Sequence, residues 1–292
     1  NRQDMKFKGI ILAGGNGTRL SPITKSVNKH LLPLYDKPLI YYPLSILMLA
    51  DIKEILIILK KEDLKLYENL LGDGSRFGVK LFYKIQEKPS GIPEAFIIGK
   101  EFIKNSNVAL ILGDNFFYGQ GLTKILTDKK KKFSGANIFC YQVPNPNSFG
   151  IADIKNNKII SLKEKPKNTK SNLAISGLYF FDKKVNEFTT QLKKSKRNEF
   201  EIIDLIKKYS KIKKLKFHIF GRGAAWLDTG SAEAIFEAGN FVYNVEKRQG
   251  IKIACLEEIA YLKKWIGKKK LKESMNFYSN SDYGKYLKKI SK

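Results

Sequence analysis

Only two cysteines and two histidines occur in the 292 residues, and 28 acidic side chains face 54 basic ones. Cys140 and Cys255 lie in apolar surroundings, Asn137–Gln142 and Ile251–Ala254. They read as reduced core residues, which excludes a disulfide scaffold. No apolar run reaches bilayer length and no signal-peptide pattern opens the chain, so the expectation is a cytoplasmic protein with no membrane insertion. There is no Gly-Lys-Ser/Thr ending of a P-loop and no dinucleotide-type glycine spacing. Internal repeats, long linkers and low-complexity segments are missing too. No Ser, Cys or His arrangement announces a covalent nucleophile.

The shortage of acid leaves a formal charge of +26. That excess invites a nucleic-acid reading, but the distribution opposes it. Lysines are scattered through every segment, with runs at Lys129–Lys132, Lys193–Lys196 and Lys268–Lys270, and arginine, the usual base reader, is scarce. No helix-turn-helix, zinc-finger or aromatic RNA-binding signature accompanies them. Most of this charge reads as solvated surface, with no specific nucleic-acid partner.

What is present is concentrated in 6–37. The apolar run Ile10–Leu12 suits a buried strand. It breaks into Ala13-Gly14-Gly15-Asn16-Gly17-Thr18-Arg19, three glycines in four positions. Such a loop can take positive φ and bring backbone N–H groups close to a ligand. With Arg19, Lys25 and Lys29 following, it suits a chain of phosphates. An ordinary glycine turn beside solvated cations is the rival interpretation.

Strands and helices alternate through the first half, which argues a largely parallel, doubly wound sheet. Strands are expected at Ile55–Leu59, Leu81–Ile85 and Val108–Leu112. Pro38 is expected in the first turn of a helix running to about Ala50, and Asp63 to cap one through Leu71 that ends at Gly72-Asp73-Gly74. A further helix is expected over Ala95–Phe102. The second half is richer in strands: Asn137–Gln142, Gly150–Ile154, Ile159–Leu162 after a tight turn at Asn156-Asn157, Leu173–Phe181, and one near Phe217–Phe220. His218 alternates with apolar neighbours in that last strand and reads as structural. Helices are expected at Lys184–Leu192 and Ile202–Tyr209, then from Ser231, a good N-cap, to Arg248. The remainder is helical and lysine-rich, giving a main domain over 5–241 and a helical appendage over 242–292.

Ligands of open α/β sheets collect at the carboxyl ends of strands. The glycine loop and Asp114 both follow such ends and can face one pocket. Asp228 likewise follows the apolar Trp226-Leu227. Buried carboxylates are costly unless paired or metal-bound, and two of them with phosphate oxygens and water suit Mg²⁺. Each could instead cap a neighbouring turn.

The string Gly14-Gly15-x-Gly17-Thr18-Arg19-Leu20, then Lys29, Leu31-Leu32-Pro33 and Asp36-Lys37-Pro38, resembles the signature of sugar-1-phosphate nucleotidylyltransferases. Tyr35-Asp36-Lys37-Pro38-Leu39-Ile40-Tyr41-Tyr42-Pro43 resembles in particular the glucose-1-phosphate thymidylyltransferases, and the likeness runs through nearly the whole chain. It implies a Rossmann-like, three-layer fold with a mixed, mainly parallel central sheet and a C-terminal helical appendage. It implies thymidylyl transfer from dTTP to glucose 1-phosphate, feeding dTDP-rhamnose and cell-surface polysaccharide, by a homotetramer.

The same resemblance assigns residues. Arg19, Lys29 and Lys165 would be the catalytic cations. Arg19 and Lys29, together with Leu12, Gly14, Gly15, Gly17, Thr18, His30, Gln86, Gly91 and Asp114, would surround the nucleotide, with the amide of Gln86 offering donor and acceptor to the base. Asn115, Gly150, Glu164, Lys165, Tyr179 and Arg197 would surround the sugar phosphate, and Asp114 with Asp228 would hold Mg²⁺. Gly119, Gln120, Arg222, Cys255 and Glu258 would line a regulatory nucleotide site. The chain departs from the family pattern at His30 and Glu94, where glutamine is usual, at Gln120, where histidine is usual, and at Leu256, where proline is usual. Three alternatives remain: transfer with another base, a nucleic-acid-binding protein, and a non-catalytic nucleotide sensor.

Overall fold

In the computed structural model, which describes residues 6–131 and 133–292, the apolar run before the glycine loop becomes β1 (Phe7–Leu12), with β4 (Glu54–Leu59) on one side and β6 (Asn107–Leu112) on the other, all parallel. Residue 5, the expected start of the main domain, and Lys132, in one of the lysine runs, lie outside the described residues. Between β1 and β4 come the short β2 (Pro33–Leu34), β3 (Lys37–Pro38) and helix α1 (Tyr41–Leu49). Helix α2 (Leu64–Leu71), β5 (Lys80–Ile85), α3 (Glu94–Ile98) and α4 (Lys100–Ile103) lead to β6. Then follow β7 (Asn115–Gly119), α5 (Leu122–Lys130), β8 (Ala136–Gln142), β9 (Gly150–Lys155), β10 (Lys158–Glu164) and β11 (Leu173–Phe181). The chain continues through α6 (Val185–Thr190), α7 (Ile202–Lys211), β12 (Leu215–Ile219), β13 (Ala224–Asp228) and α8 (Ala232–Gln249). It ends in α9 (Leu256–Leu262), α10 (Lys268–Tyr278) and α11 (Asp282–Ile290).

The nine-stranded sheet runs β10-β9-β11-β6-β1-β4-β5, with β8 on the other side of β11 and β12 beyond it. Seven strands point one way and only β11 and β10 are reversed, so the sheet is mixed and mainly parallel. Alternation of side chains splits its apolar residues between two faces. Ile10, Leu56 and Ile58 join one core with Phe96 and Ile206, while Ile11, Ile55 and Ile57 join the other with Leu44 and Leu256. Asn156 and Asn157 both adopt positive φ, as the tight turn between β9 and β10 requires.

Several local expectations change in the fold. Pro38 lies in β3, and α1 begins at Tyr41, because Leu39 N–H bonds to Leu32 O and Ile40 N–H to His30 O, which holds the chain out of the helix until residue 40. Asp63 precedes α2, but its carboxylate accepts from Asn28 Nδ2 at 2.5 Å and does not cap the helix. The helix expected over Ala95–Phe102 divides at Gly99, where a Cβ would meet Ala95 O and Ile10 Cδ1. Strands β7 and β13 were not anticipated; they pair antiparallel and place Asp228 opposite Asn115.

Helix α8 crosses residues 241 and 242 without interruption, so the boundary expected there falls inside one helix. Ser231 Oγ accepts from Ala234 N–H at its start. Val242 and Ala238 pack with Tyr42 and Phe116, and Glu246 reaches the buried Lys37 at 3.1 Å. Lys37 also pairs with Asp36, and Lys252 with both Asp36 and Glu246, so two cations and two carboxylates bind the β2–β3 hairpin to the end of α8. The last helices close around buried Glu257, which accepts from Tyr278 and Tyr283 hydroxyls at 2.8 and 2.6 Å. Both cysteines are free and buried, and His218 packs edge-on against Phe220.

Candidate active site

A cleft of about 340 Å³ opens where β1 and β6 end. The glycine loop forms one wall through Gly15, Gly17, Thr18 and Arg19; Leu12, Lys29, His30, Gln86, Gly91 and Asp114 complete it, so ten of the eleven residues assigned to the nucleotide meet there. Only Gly14 does not line it: a Cβ at 14 would collide with Gln86 Oε1. Each glycine in the loop therefore has its own role. Of the three only Gly17 uses positive φ (59°); Gly14 gives clearance to Gln86, and Gly15 faces open space. Gly230 has a similar role: a Cβ there would meet the Arg19 guanidinium. Pro89, Ile92, Leu112, Glu199 and Gly230 also line the cleft. No motif in the sequence singled them out.

Lys29 is only 7 % exposed and pairs with Asp114. Its position is set by Asn28, whose Oδ1 accepts from His30 N–H at 2.9 Å and from Tyr67 Oη–H at 3.2 Å, while its Nδ2 donates to Asp63. Asn28, Asp63 and Tyr67 thus form a support behind the cation that sequence reading missed. Burial pulls the His30 pKa from 6.5 down to about 4; Asp114 opposes this and Lys29 reinforces it. The folded value lies below the unfolded one, so the unfolded chain binds the proton first as pH falls. The stabilisation carried by the neutral ring is then complete above pH 6.5 and lost progressively towards pH 4. Between pH 7.5 and pH 5 we expect this ring to cost about 2 kcal/mol of stability. Urea unfolding of the wild type and His30→Gln at both pH values tests it: equal pH slopes in the two proteins would overturn the assignment.

The β7–β13 ladder places Asp228 opposite Asn115, the residue after Asp114. Asp114 Oδ1 accepts from Asn115 Nδ2 at 2.9 Å, and its backbone carbonyl accepts from Thr229 N–H at 3.1 Å and Thr229 Oγ1–H at 2.8 Å. Burial raises the Asp114 pKa, but Lys29 and His30 outweigh it and the carboxyl titrates below its usual range. Asp228 accepts from Gly230 N–H at 3.3 Å. Among the described residues no group of three or more His, Cys, Asp or Glu is gathered for a metal. Two carboxylates at the end of this ladder instead suit a hard cation that completes its shell with other oxygen ligands and water, as Mg²⁺ does.

Asn115 is buried, and its Oδ1 accepts from Trp226 Nε1–H at 2.6 Å and Gly177 N–H at 3.0 Å. Its donor and acceptor are thus committed to orienting Asp114 and holding the bulge of β11. Glu164 faces Gly150 across the β9–β10 ladder, and Lys165 follows with φ of 40°, its N–H on Phe149 O. Arg197 grips Glu201 through Nη2 at 2.7 Å and Nε at 3.2 Å and stands 3.6 Å from Glu164. Burial and the nearby Glu201 push the Glu164 pKa up. Tyr179 is buried and stacked on Phe181. Gly91, with φ of 104°, lets Phe200 approach so closely that Phe200 N–H bonds to Ser90 O at 2.8 Å. This contact sets the Arg197 loop against the cleft, where Glu199 already lies.

A family model described as nucleotidyl transferase matches residues 8–245, which contain this entire constellation. The chain belongs to the nucleotidyl transferase family. A glucose-1-phosphate thymidylyltransferase of Neisseria meningitidis serogroup A is 51 % identical over 287 residues, covering 98 % of this chain and all of the relative. One from Mycobacterium tuberculosis is 44 % identical over 282 residues, 96 % of this chain and 98 % of the relative. Among solved structures, a UDP-glucose pyrophosphorylase complexed with UDP-glucose superposes with a TM-score of 0.72 at 27 % identity, covering 82 % of this chain and all of that one.

This nucleotidyl transferase has a second concavity, a groove of about 780 Å³ between α5 and the 251–259 segment. Gly119, Cys255 and Glu258 line it, and Gln120 lies in a small adjoining pocket. Arg222 is exposed in the turn before β13, which pairs with Gly119 through Ala224. Burial pushes the Cys255 thiol and the Glu258 carboxyl up, and Glu258 accepts from Tyr286 Oη–H at 2.8 Å.

Proposed function

We propose that the chain transfers the thymidylyl group of dTTP to α-D-glucose 1-phosphate, releasing pyrophosphate and forming dTDP-glucose, the first step toward dTDP-rhamnose and related dTDP-sugars. One observation carries the reading: the glycine loop, exposed Arg19, buried Lys29, the buried Gln86 amide and Asp114 all line one cleft at strand carboxyl ends. An oxygen of the sugar phosphate is already a competent nucleophile, so no side-chain nucleophile is needed. The new P–O bond forms at the α-phosphorus as the α–β bridging bond breaks, and the electron pair leaves with pyrophosphate.

Catalysis is then positioning and charge neutralisation. Arg19 and Lys29 take the triphosphate against the glycine loop. Lys165 and Arg197 hold the sugar phosphate, with Glu164 toward the sugar hydroxyls and Asn115 keeping Asp114 aligned. Asp114 and Asp228 would hold Mg²⁺, which when bound supplies Lewis-acid neutralisation of phosphate charge.

The enzyme works in the cytoplasm as a homotetramer, with 242–292 and the second groove serving assembly and nucleotide regulation. Exposed Phe236, Leu262 and Phe277 support the assembly. No helix among the described residues is long and apolar enough to cross a membrane.

Pyrophosphate release with glucose 1-phosphate against four nucleotides tests the activity. We expect dTTP best, UTP weaker, and CTP and ATP poor. A preference for CTP or ATP would overturn the thymidylyl assignment, and a monomer by light scattering of the same preparation would remove the tetramer.

A further inference from the structure

Gln86 does not choose the orientation of its own amide. Its Nε2 donates to Glu94 Oε2 at 2.5 Å, and the same oxygen accepts Ser90 N–H at 3.0 Å. A carboxylate carries no hydrogen to give, so only the NH₂ end of the amide can face it. The carbonyl end is thereby turned toward the glycine loop, over Gly14, where the missing Cβ leaves it room. Gln86 itself is 3 % exposed, and its backbone N–H is tied to Leu59 O at 2.8 Å, so its backbone is fixed and its amide is packed in place. The side chain expected to offer a donor and an acceptor in either order is fixed in one.

We propose that Glu94 is a positioning residue for base selection: by locking the Gln86 amide it presents Oε1 as a fixed acceptor. That atom welcomes the ring N–H of an imide base, thymine or uracil, and repels the bare ring nitrogen of cytosine. A reversed amide would suit cytosine but would set Oε1 against the Glu94 carboxylate. The inference rests on the pyrimidine-nucleotide reading above and deepens it. The glutamate that departs from the family pattern becomes the reason the reader cannot flip.

Glu94→Gln tests this, because it keeps the shape and supplies either end of an amide to Gln86. The measurement is kcat/KM for dTTP, UTP and CTP by pyrophosphate release from the full chain, with thermal melting to verify folding. We expect the dTTP-to-CTP ratio to fall about tenfold, the scale of one unmatched buried acceptor. UTP should follow dTTP, since both present the same ring N–H. In a Gln86→Ala background the Glu94→Gln change should leave the ratio unmoved.

Three outcomes overturn the proposal: an unchanged ratio in folded Glu94→Gln, an equal loss on all three nucleotides, or the same ratio change with Gln86 absent. Should Glu94→Gln not fold, Glu94→Asp, which withdraws the carboxylate by one methylene, is read on the same ratio with the same criteria. Failure of the underlying reading is distinguishable. It would appear as a wild type without dTTP preference, or as Gln86→Ala leaving that preference intact.

Discussion

Asp114→Asn is expected to lower turnover by about a thousandfold at saturating dTTP, with the fold intact. The amide keeps the shape of the carboxylate and can still meet Asn115 Nδ2, which now holds Asp114 Oδ1 at 2.9 Å. It removes the charge that pairs with Lys29 and that an Mg²⁺ ion would need. Lys29, only 7 % exposed, would be left with a neutral neighbour at the wall of the cleft. Asp228→Asn should act in the same direction. On the proposal that the two carboxylates hold one Mg²⁺, the double variant should lose far less than the product of the single losses. Pyrophosphate release across a Mg²⁺ titration, with melting of the ligand-free variants, provides the readout. Near-normal turnover and Mg²⁺ dependence in both single variants would mean that these aspartates are turn caps.

Glu246→Ala should destabilise the protein by about 3–5 kcal/mol and lower Tm by about 10 °C. Glu246 accepts from Ile253 N–H at 2.8 Å and sits 3.1 Å from Lys37 and 3.3 Å from Lys252, with Asp36 completing a neutral cluster. Removing one carboxylate leaves an unbalanced positive charge where Lys37 is 4 % exposed, and strands a buried backbone donor. The cluster lies away from the cleft, so kcat on dTTP at 25 °C should change little in the protein that remains folded. Denaturant unfolding supplies the energy. A loss below about 1 kcal/mol would show that water reaches the cluster and screens it.

The sequence alone was enough for the alternation of strands and helices and for the glycine loop and cations of the cleft, because those signals are local, whereas Leu12, His30, Gln86 and Gly91 were assigned only by the family resemblance. A buried parallel strand is a continuous apolar run, as at Ile55–Leu59, and a turn that needs positive φ is written in glycine or asparagine, as at Gly17 and Asn156-Asn157. The glycine loop, Arg19 and Lys29 lie within one stretch, so their chemistry could be read together.

What tertiary structure decided was which distant groups meet, since no periodicity encodes a contact across the fold. The Asn28–Asp63–Tyr67 support behind Lys29 joins three segments, and Asp63, a plausible helix cap by sequence, is drawn away from that task by Asn28. Strands β7 and β13 are short and, among the described residues, pair only with each other, so neither carries a strong pattern, yet their ladder places Asp228 opposite Asn115. Gly14 looked like a source of backbone freedom; its use is clearance for an amide 72 residues away in sequence, and that amide is turned by Glu94. A side chain's type says which hydrogen bonds it can make, and only the packing of its neighbours says which of them it makes.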